Sequence, residues 1–136
     1  MKVECYSATR TQLDKTSNED AFLIGRGPIL YAVLCDGAGN AQQSAKKVCS
    51  LFEKLISGPA EIQDSATWQR WIKILDSSLL GGHQSTFLGV ALVGSQLVGA
   101  SAGDSRLYLS DHEGELRILT KTTKRLGSGR AEASIG

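Results

Sequence analysis

The sequence withholds the signatures of several common chemistries. Three cysteines, Cys5, Cys35 and Cys49, form an odd set with no C-x-x-C spacing, so neither a zinc site nor a disulfide framework is indicated, and a reducing interior fits. The opening stretch MKVECYSATRTQLDK has no apolar core of roughly 7–15 residues, and no segment approaches the roughly 18 apolar residues of a membrane span. Together these absences point to a cytoplasmic chain. An excess of one charge is also missing: the net charge is +1, which leaves no general electrostatic case for nucleic acid or a membrane surface. The one local bias is the tail 121–136, where Lys121, Lys124, Arg125 and Arg130 face Glu132 alone, and it reads as a solvated, loosely attached end. Ser85 and Ser105 stand outside any G-x-S-x-G elbow, and Gly37, Gly39, Gly127 and Gly129 make no phosphate-binding or dinucleotide fingerprint. His83 and His112 share no motif and read as loop residues.

What is present is a chain of ordinary globular composition, 41% apolar and 21% charged over 136 residues, which suits one domain with a sizeable core. Val3 to Thr9 predicts a short strand. Ala21–Ile24 and Ile29–Cys35 predict a hairpin joined by the four residues Gly25-Arg26-Gly27-Pro28, and the second run is apolar enough to be covered on both faces. From Asn40, a plausible N-cap, Ala45, Val48, Leu51, Phe52, Leu55 and Ile56 recur at helical spacing up to Gly58-Pro59. A second helix is expected from Asp64 or Ser65 to Gly81-Gly82, with Trp68, Trp71, Ile72, Leu75 and Leu79 on its core face. Four short strand-like runs follow, Ser85–Val93, Leu97–Ala102, Arg106–Ser110 and Glu115–Thr120, punctuated by turn residues in the manner of an antiparallel meander. Strands grouped apart from helices argue for an α+β fold with mainly antiparallel sheets.

Folding the hairpin back about residues 25–28 brings Asp36, at the end of the second strand, beside Asn18-Glu19-Asp20 at the start of the first. Cross-strand neighbours stand roughly 4.5–5.5 Å apart at Cβ. Carboxylates crowded there repel unless a cation intervenes, and hard oxygen ligands suit Mg²⁺ or Mn²⁺, with Gly37 letting its own carbonyl approach the ion. Ordinary turn chemistry accounts for N-E-D and D-G equally well. A further acidic element, Gly103-Asp104-Ser105-Arg106, reads alone as a hairpin tip or an Asp104–Arg106 ion pair.

Three stretches in this order, TSNEDAF (16–22), VLCDGAGN (33–40) and STFLGVALVGSQLVGASAGDSRLYL (85–109), together resemble the N-terminal half of PPM-type (type 2C) metal-dependent serine/threonine protein phosphatases. The resemblance runs from about residue 3 to residue 120. It implies an α+β, antiparallel β-sandwich flanked by helices (αββα), incomplete at the C-terminus, with residues 1–120 as the first part of the domain and 121–136 as a polar basic tail. It also implies a two-metal centre, Mn²⁺ or Mg²⁺, in which Asp36 bridges the ions and Gly37 offers its carbonyl. Glu19 and Asp20 fall at an acidic contact to the metal, Asp104 near a third and weaker ion, and Lys15 where the family holds the substrate phosphate with an Arg. The implied reaction is hydrolysis of phosphoserine or phosphothreonine in proteins by a metal-bound water.

The sequence departs from that pattern at several places. Ala38 stands where many eukaryotic members carry a His, Lys15 replaces a bidentate fork by a point charge, and Asn40 replaces a glycine. Two later metal-binding Asp elements are missing before the chain ends at SGRAEASIG, which implies an incomplete second metal site and uncovered sheet edges open to self-association. The partners implied are a phosphorylated protein substrate and a cognate Ser/Thr kinase. The competing expectation is a non-catalytic pseudophosphatase or phosphoprotein-binding module of the same fold. A phospho-acceptor role for Asp36, as in haloacid-dehalogenase-type enzymes, wants a parallel sheet and an acidic pocket whose signals are absent.

Overall fold

The computed structural model describes residues 2–10, 20–38, 42–58, 61–79 and 83–133. The hairpin expected from the sequence is formed by β1 (Asp20–Arg26) and β2 (Leu30–Ala38), which pair antiparallel from Asp20↔Asp36 to Arg26↔Leu30. Its connection is shorter than the four residues expected, because Gly25 and Arg26 continue the strand and only 27–29 turn. Gly25 makes this possible: the Tyr31 ring lies across it, where a Cβ would collide. The strand expected over Val3–Thr9 is not formed; residues 2–10 carry no ladder hydrogen bonds, and Val3 and Cys5 are only half-buried.

Helix α1 (Gln42–Ser57) buries Ala45, Val48, Cys49, Phe52 and Ile56, one stripe at helical spacing. The Asn40 position proposed as its cap lies outside the described residues. Helix α2 (Ser65–Ser78) opens on Asp64, whose carboxylate accepts the Ala66 amide at 2.9 Å, and buries Trp68, Trp71, Ile72 and Leu75. It closes at Leu79, ahead of the Gly81-Gly82 stop read from the sequence, and those two glycines lie outside the described residues.

The return to strands comes in two pieces. β3 (Gln84–Ser85) pairs with β2 through Gly37↔Ser85, the ladder breaks at Thr86, and β4 (Phe87–Val93) resumes against the middle of β2. A tight turn at Gly94-Ser95, with Gly94 at φ +61, returns the chain as β5 (Gln96–Ala102). The large antiparallel sheet thus runs β1-β2-β4-β5. The last two predicted runs form a separate two-stranded sheet, β6 (Tyr108–Ser110) with β7 (Leu116–Ile118), so the four runs are two hairpins in different sheets rather than one meander.

Both helices lie on one face of the large sheet, against Val33, Cys35, Phe87, Ala91, Ala100 and Ala102. Phe52 is the hub: its ring meets Phe87 at 5.1 Å, Trp71 at 5.7 Å, and Tyr31 and Trp68 each at 5.9 Å, so one side chain joins α1 to α2, β2 and β4. The opposite face is only partly covered. Leu107 and Leu119, beside the β6–β7 hairpin, close over Leu88 and Val90 at one end. The remainder is an open trough of about 500 Å³ lined by Tyr6, Phe22, Ala32 and Leu34, and Leu34 is 43% exposed. The apolar run of β2 therefore does not have the two covered faces expected of it among the described residues. The architecture is α+β, with helices packed on an antiparallel sheet and a small second sheet on its far side. No described helix is long and apolar enough to cross a membrane.

Removing the hub should be costly. Phe52→Ala is expected to destabilise the chain by about 3–5 kcal/mol, the usual range for emptying an aromatic core site. Urea unfolding followed by tryptophan fluorescence checks this, and a loss under about 1 kcal/mol would show that the ring cluster is not the centre of the core.

Candidate functional site

Along β2 the side chains alternate: Val33 and Cys35 turn toward the helices, while Leu34 and Asp36 turn toward the open face. Asp36 is thus the carboxylate that follows the apolar run on the trough side, at its rim. The register sets Asp20 directly opposite, and the two carboxyls share a hydrogen bond. Partial burial raises the Asp36 carboxyl above the usual carboxylate range. The bond to Asp20 and that residue's charge push it the same way, as does the charge of Asp104, against the opposing pull of Arg125. Crowding by other acids therefore disfavours the ionised form of Asp36, the form that a cation would stabilise.

The backbone of Asp36 is held by a residue that sequence reasoning passed over. At the break between β3 and β4, buried Thr86 donates its amide to the Asp36 carbonyl at 2.9 Å and accepts the Asp36 amide on Oγ1 at 2.9 Å. The same Oγ1 pairs with Ser105 Oγ at 2.7 Å. One hydroxyl thus ties Asp36 to the Gly103-Asp104-Ser105-Arg106 turn. Ser105, set aside as a nucleophile, works as a strut. Gly103, at φ +100, packs so tightly that a Cβ would stand 2.9 Å from Thr86 Cγ2 and 3.3 Å from Arg125 Cγ.

Asp104 is paired, but with a different arginine from the one the turn suggested. Arg125 approaches its carboxylate at 3.6 Å, while Arg106 turns to the Tyr108 hydroxyl at 3.5 Å. Arg125 arrives on a segment read from sequence as a loosely attached end. Instead Leu126 is fully buried and bridges Ser85 through hydrogen bonds of 2.9 and 3.1 Å. Beyond it Asp76, buried on α2, accepts the amides of Gly127 at 2.7 Å, Gly129 at 3.2 Å and Ala131 at 3.4 Å. Polar residues seldom sit on a buried helical stripe without a partner, and Asp76, four residues after Ile72, carried that signal in the sequence.

The structure brings together Asp20, Asp36, Asp104 and the Gly37 backbone, which is buried in its pairing with Ser85. Glu19 and Lys15 lie outside the described residues. His83 is an exposed loop residue, and His112 sits at the β6–β7 tip beside Glu113 at 3.9 Å. Among the described residues no three His, Cys, Asp or Glu side chains converge closely enough to hold an ion alone. Two carboxylates do, and a small hard cation that keeps most of its waters needs only one or two. The donor set fits one Mg²⁺ or Mn²⁺.

No protein-family model and no curated protein sequence matches the chain. Solved structures do. A variant of a bacterial serine phosphatase superposes with TM-score 0.82 at 22% identity, covering 93% of this chain and 66% of its own. Serine/threonine phosphatase Stp1 from Staphylococcus aureus gives TM-score 0.79 at 19% identity over 93% of this chain and 67% of its own. The catalytic domain of serine threonine protein phosphatase PstP, in complex with two manganese ions, gives 0.74 at 21% over 91% of this chain and 66% of its own. This chain has the fold of the bacterial PP2C-type serine/threonine phosphatases, and it spans about two thirds of their length.

The raised Asp36 carboxyl has a consequence for stability. The protonated form favours the folded state, so this contribution is complete at acid pH and is lost as pH rises through the raised value. Metal-free Asp36→Asn is therefore expected to melt above wild type at pH 7, with the difference shrinking toward pH 4. Calorimetry in chelator across that range checks it; equal melting temperatures at neutral pH would refute the unfavourable crowding of Asp36.

Proposed function

We propose that the chain carries one wall of a phosphomonoester-hydrolysing site and acts, with Mn²⁺ or Mg²⁺, on phosphoserine and phosphothreonine in proteins. The observation that carries this reading is the facing pair Asp20 and Asp36, with Asp104 beyond it, at the rim of a fold shared with bacterial serine/threonine phosphatases. That one such phosphatase is a complex with two manganese ions supports the choice of cation.

Asp36 and Asp20 would hold the ion, with the Gly37 carbonyl beside them; Glu19 is a further candidate by its place in the sequence. The chemistry such an ion supplies is activation of a water near neutral pH and neutralisation of the phosphoryl oxygens. The chain's own part is positioning. Val33 and Cys35 anchor β2 in the core, so that Asp36 leaves it at a fixed height, and Thr86 fixes the peptide on both sides of that carboxylate. Cation binding competes with protonation of Asp36, so affinity should rise with pH through the raised value of that carboxyl. Three unbridged cysteines, two of them with sulfurs 3.7 Å apart, support a reducing compartment, in which phosphorylated proteins and the kinases that modify them are the expected partners.

A second reading, a phosphoprotein-binding module without turnover, is favoured by one observation: only two carboxylates converge among the described residues. Hydrolysis of p-nitrophenyl phosphate and of a phosphothreonine peptide, with Mn²⁺, with Mg²⁺ and with chelator, separates the two. The phosphatase reading expects cation-dependent turnover that falls to near zero in Asp36→Asn and partly in Asp104→Asn. Binding of the phosphopeptide without turnover supports the module, and cation-independent turnover or full activity in Asp36→Asn overturns the mechanism.

A further inference from the structure

Three carboxylates at a rim should repel a phosphate ester, so a site of this kind needs a positive group on the chain that can leave the acids for the phosphate. Arg125 is placed for that role. Its backbone is pinned on both sides: upstream, Thr123 donates its amide to the Gly103 carbonyl at 3.0 Å and accepts the Gly103 amide on its hydroxyl at 3.2 Å; downstream, Leu126 is locked to Ser85. Gly127, at φ +90, passes so close to the His83 carbonyl that no Cβ could fit, and the buried Asp76 carboxylate gathers the amides after it. The stem is therefore fixed while the guanidinium stays in reach of solvent, with the side chain 40% exposed.

The head is held loosely. At 3.6 Å from Asp104 it is an ion pair longer than a hydrogen bond, and the planar fork can present several N–H groups to an oxyanion. Its charge reaches Asp36 as well, where it opposes the carboxyl's rise. A divalent cation on Asp20 and Asp36 would remove the attraction that keeps Arg125 over the acids and add repulsion of its own. The group then nearest in charge and geometry is the phosphate that arrives with the substrate, and a guanidinium meets phosphate oxygens in pairs.

We propose that Arg125 is the phosphate-binding cation of this site, held against Asp104 in the metal-free chain and turned to the substrate's phosphoryl oxygens once the carboxylates are occupied, with Asp76 as the residue that positions it. This rests on the phosphatase reading but reads out separately from it. Nothing in the sequence pattern points to Arg125; it lies in the basic tail, twenty-one residues after Asp104, and only the fold brings the two together.

The test uses the full chain loaded with Mn²⁺ and measures three quantities: binding of inorganic phosphate by calorimetry, Mn²⁺ affinity by electron paramagnetic resonance, and KM and kcat for p-nitrophenyl phosphate. Arg125→Gln is expected to weaken phosphate binding and raise KM about tenfold or more, the worth of a charge-assisted pair, while Mn²⁺ binds as well or more tightly because a nearby positive charge is gone. Arg125→Lys should recover part of the loss. Asp76→Asn, chosen over Ala to keep the fold, should weaken phosphate binding without changing Mn²⁺ affinity; a lowered melting temperature with unchanged phosphate binding would remove Asp76 from the proposal. Turnover by wild type with unaltered phosphate binding and KM in Arg125→Gln overturns the role of Arg125 and leaves the phosphatase reading intact. Phosphate binding that depends on Arg125 in a chain without turnover does the reverse, and a wild-type chain that binds Mn²⁺ but no phosphate overturns the proposal.

Discussion

The pairing of β1 with β2 is the constraint on which the rest depends. A strand has a period of two, so slipping this ladder by one residue would turn Val33 and Cys35 to the open face and drive Leu34 and Asp36 into the helices. The register that fills the core under α1 is therefore the same register that faces Asp36 with Asp20. Fold and site are not separate achievements of the sequence here: the apolar run that secures the first fixes the second. The short turn at 27–29, made possible by the bare face of Gly25 under Tyr31, sets the count.

Much of this was legible beforehand because it follows from local patterns. A symmetric fold-back about a Gly-Pro turn placed Asp20 near Asp36 by counting alone, and the spacing of Trp68, Trp71, Ile72 and Leu75 marked the buried stripe of α2. What escaped depended on contacts distant in sequence. Thr86 looks like any β-branched strand residue, and only the structure shows that the ladder breaks there so that a side chain can serve Asp36. The basic tail looked solvated because its charges outnumber its apolar residues, yet buried Leu126 and the amides gathered by Asp76 dock it. Val3–Thr9 failed as a strand for the opposite reason: its residue types suit a sheet, but among the described residues no neighbour offers it a ladder.

Asp76 and Asp36 show how the same chemical group serves two ends. Asp76 is buried, and its charge is met by backbone amides from the segment it holds, so it stabilises one conformation. Asp36 is crowded by other acids, and its ionised form is disfavoured there. The second carboxylate is thus held in an uncomfortable setting by a core that tolerates it, which is how a binding site commonly differs from a structural one.

The interruption at Thr86 has one more consequence. Since a single hydroxyl touches both the Asp36 amide and Ser105, the two acidic elements are surveyed from one datum: the gap between Asp36 and Asp104 is set by the bonds of that oxygen, and not by the cumulative drift of β4 and β5 that separates them along the chain. Length changes in the β4–β5 hairpin would lengthen or shorten the sheet without moving either carboxylate, so that loop is where this fold can vary in shape while its acidic rim keeps its dimensions.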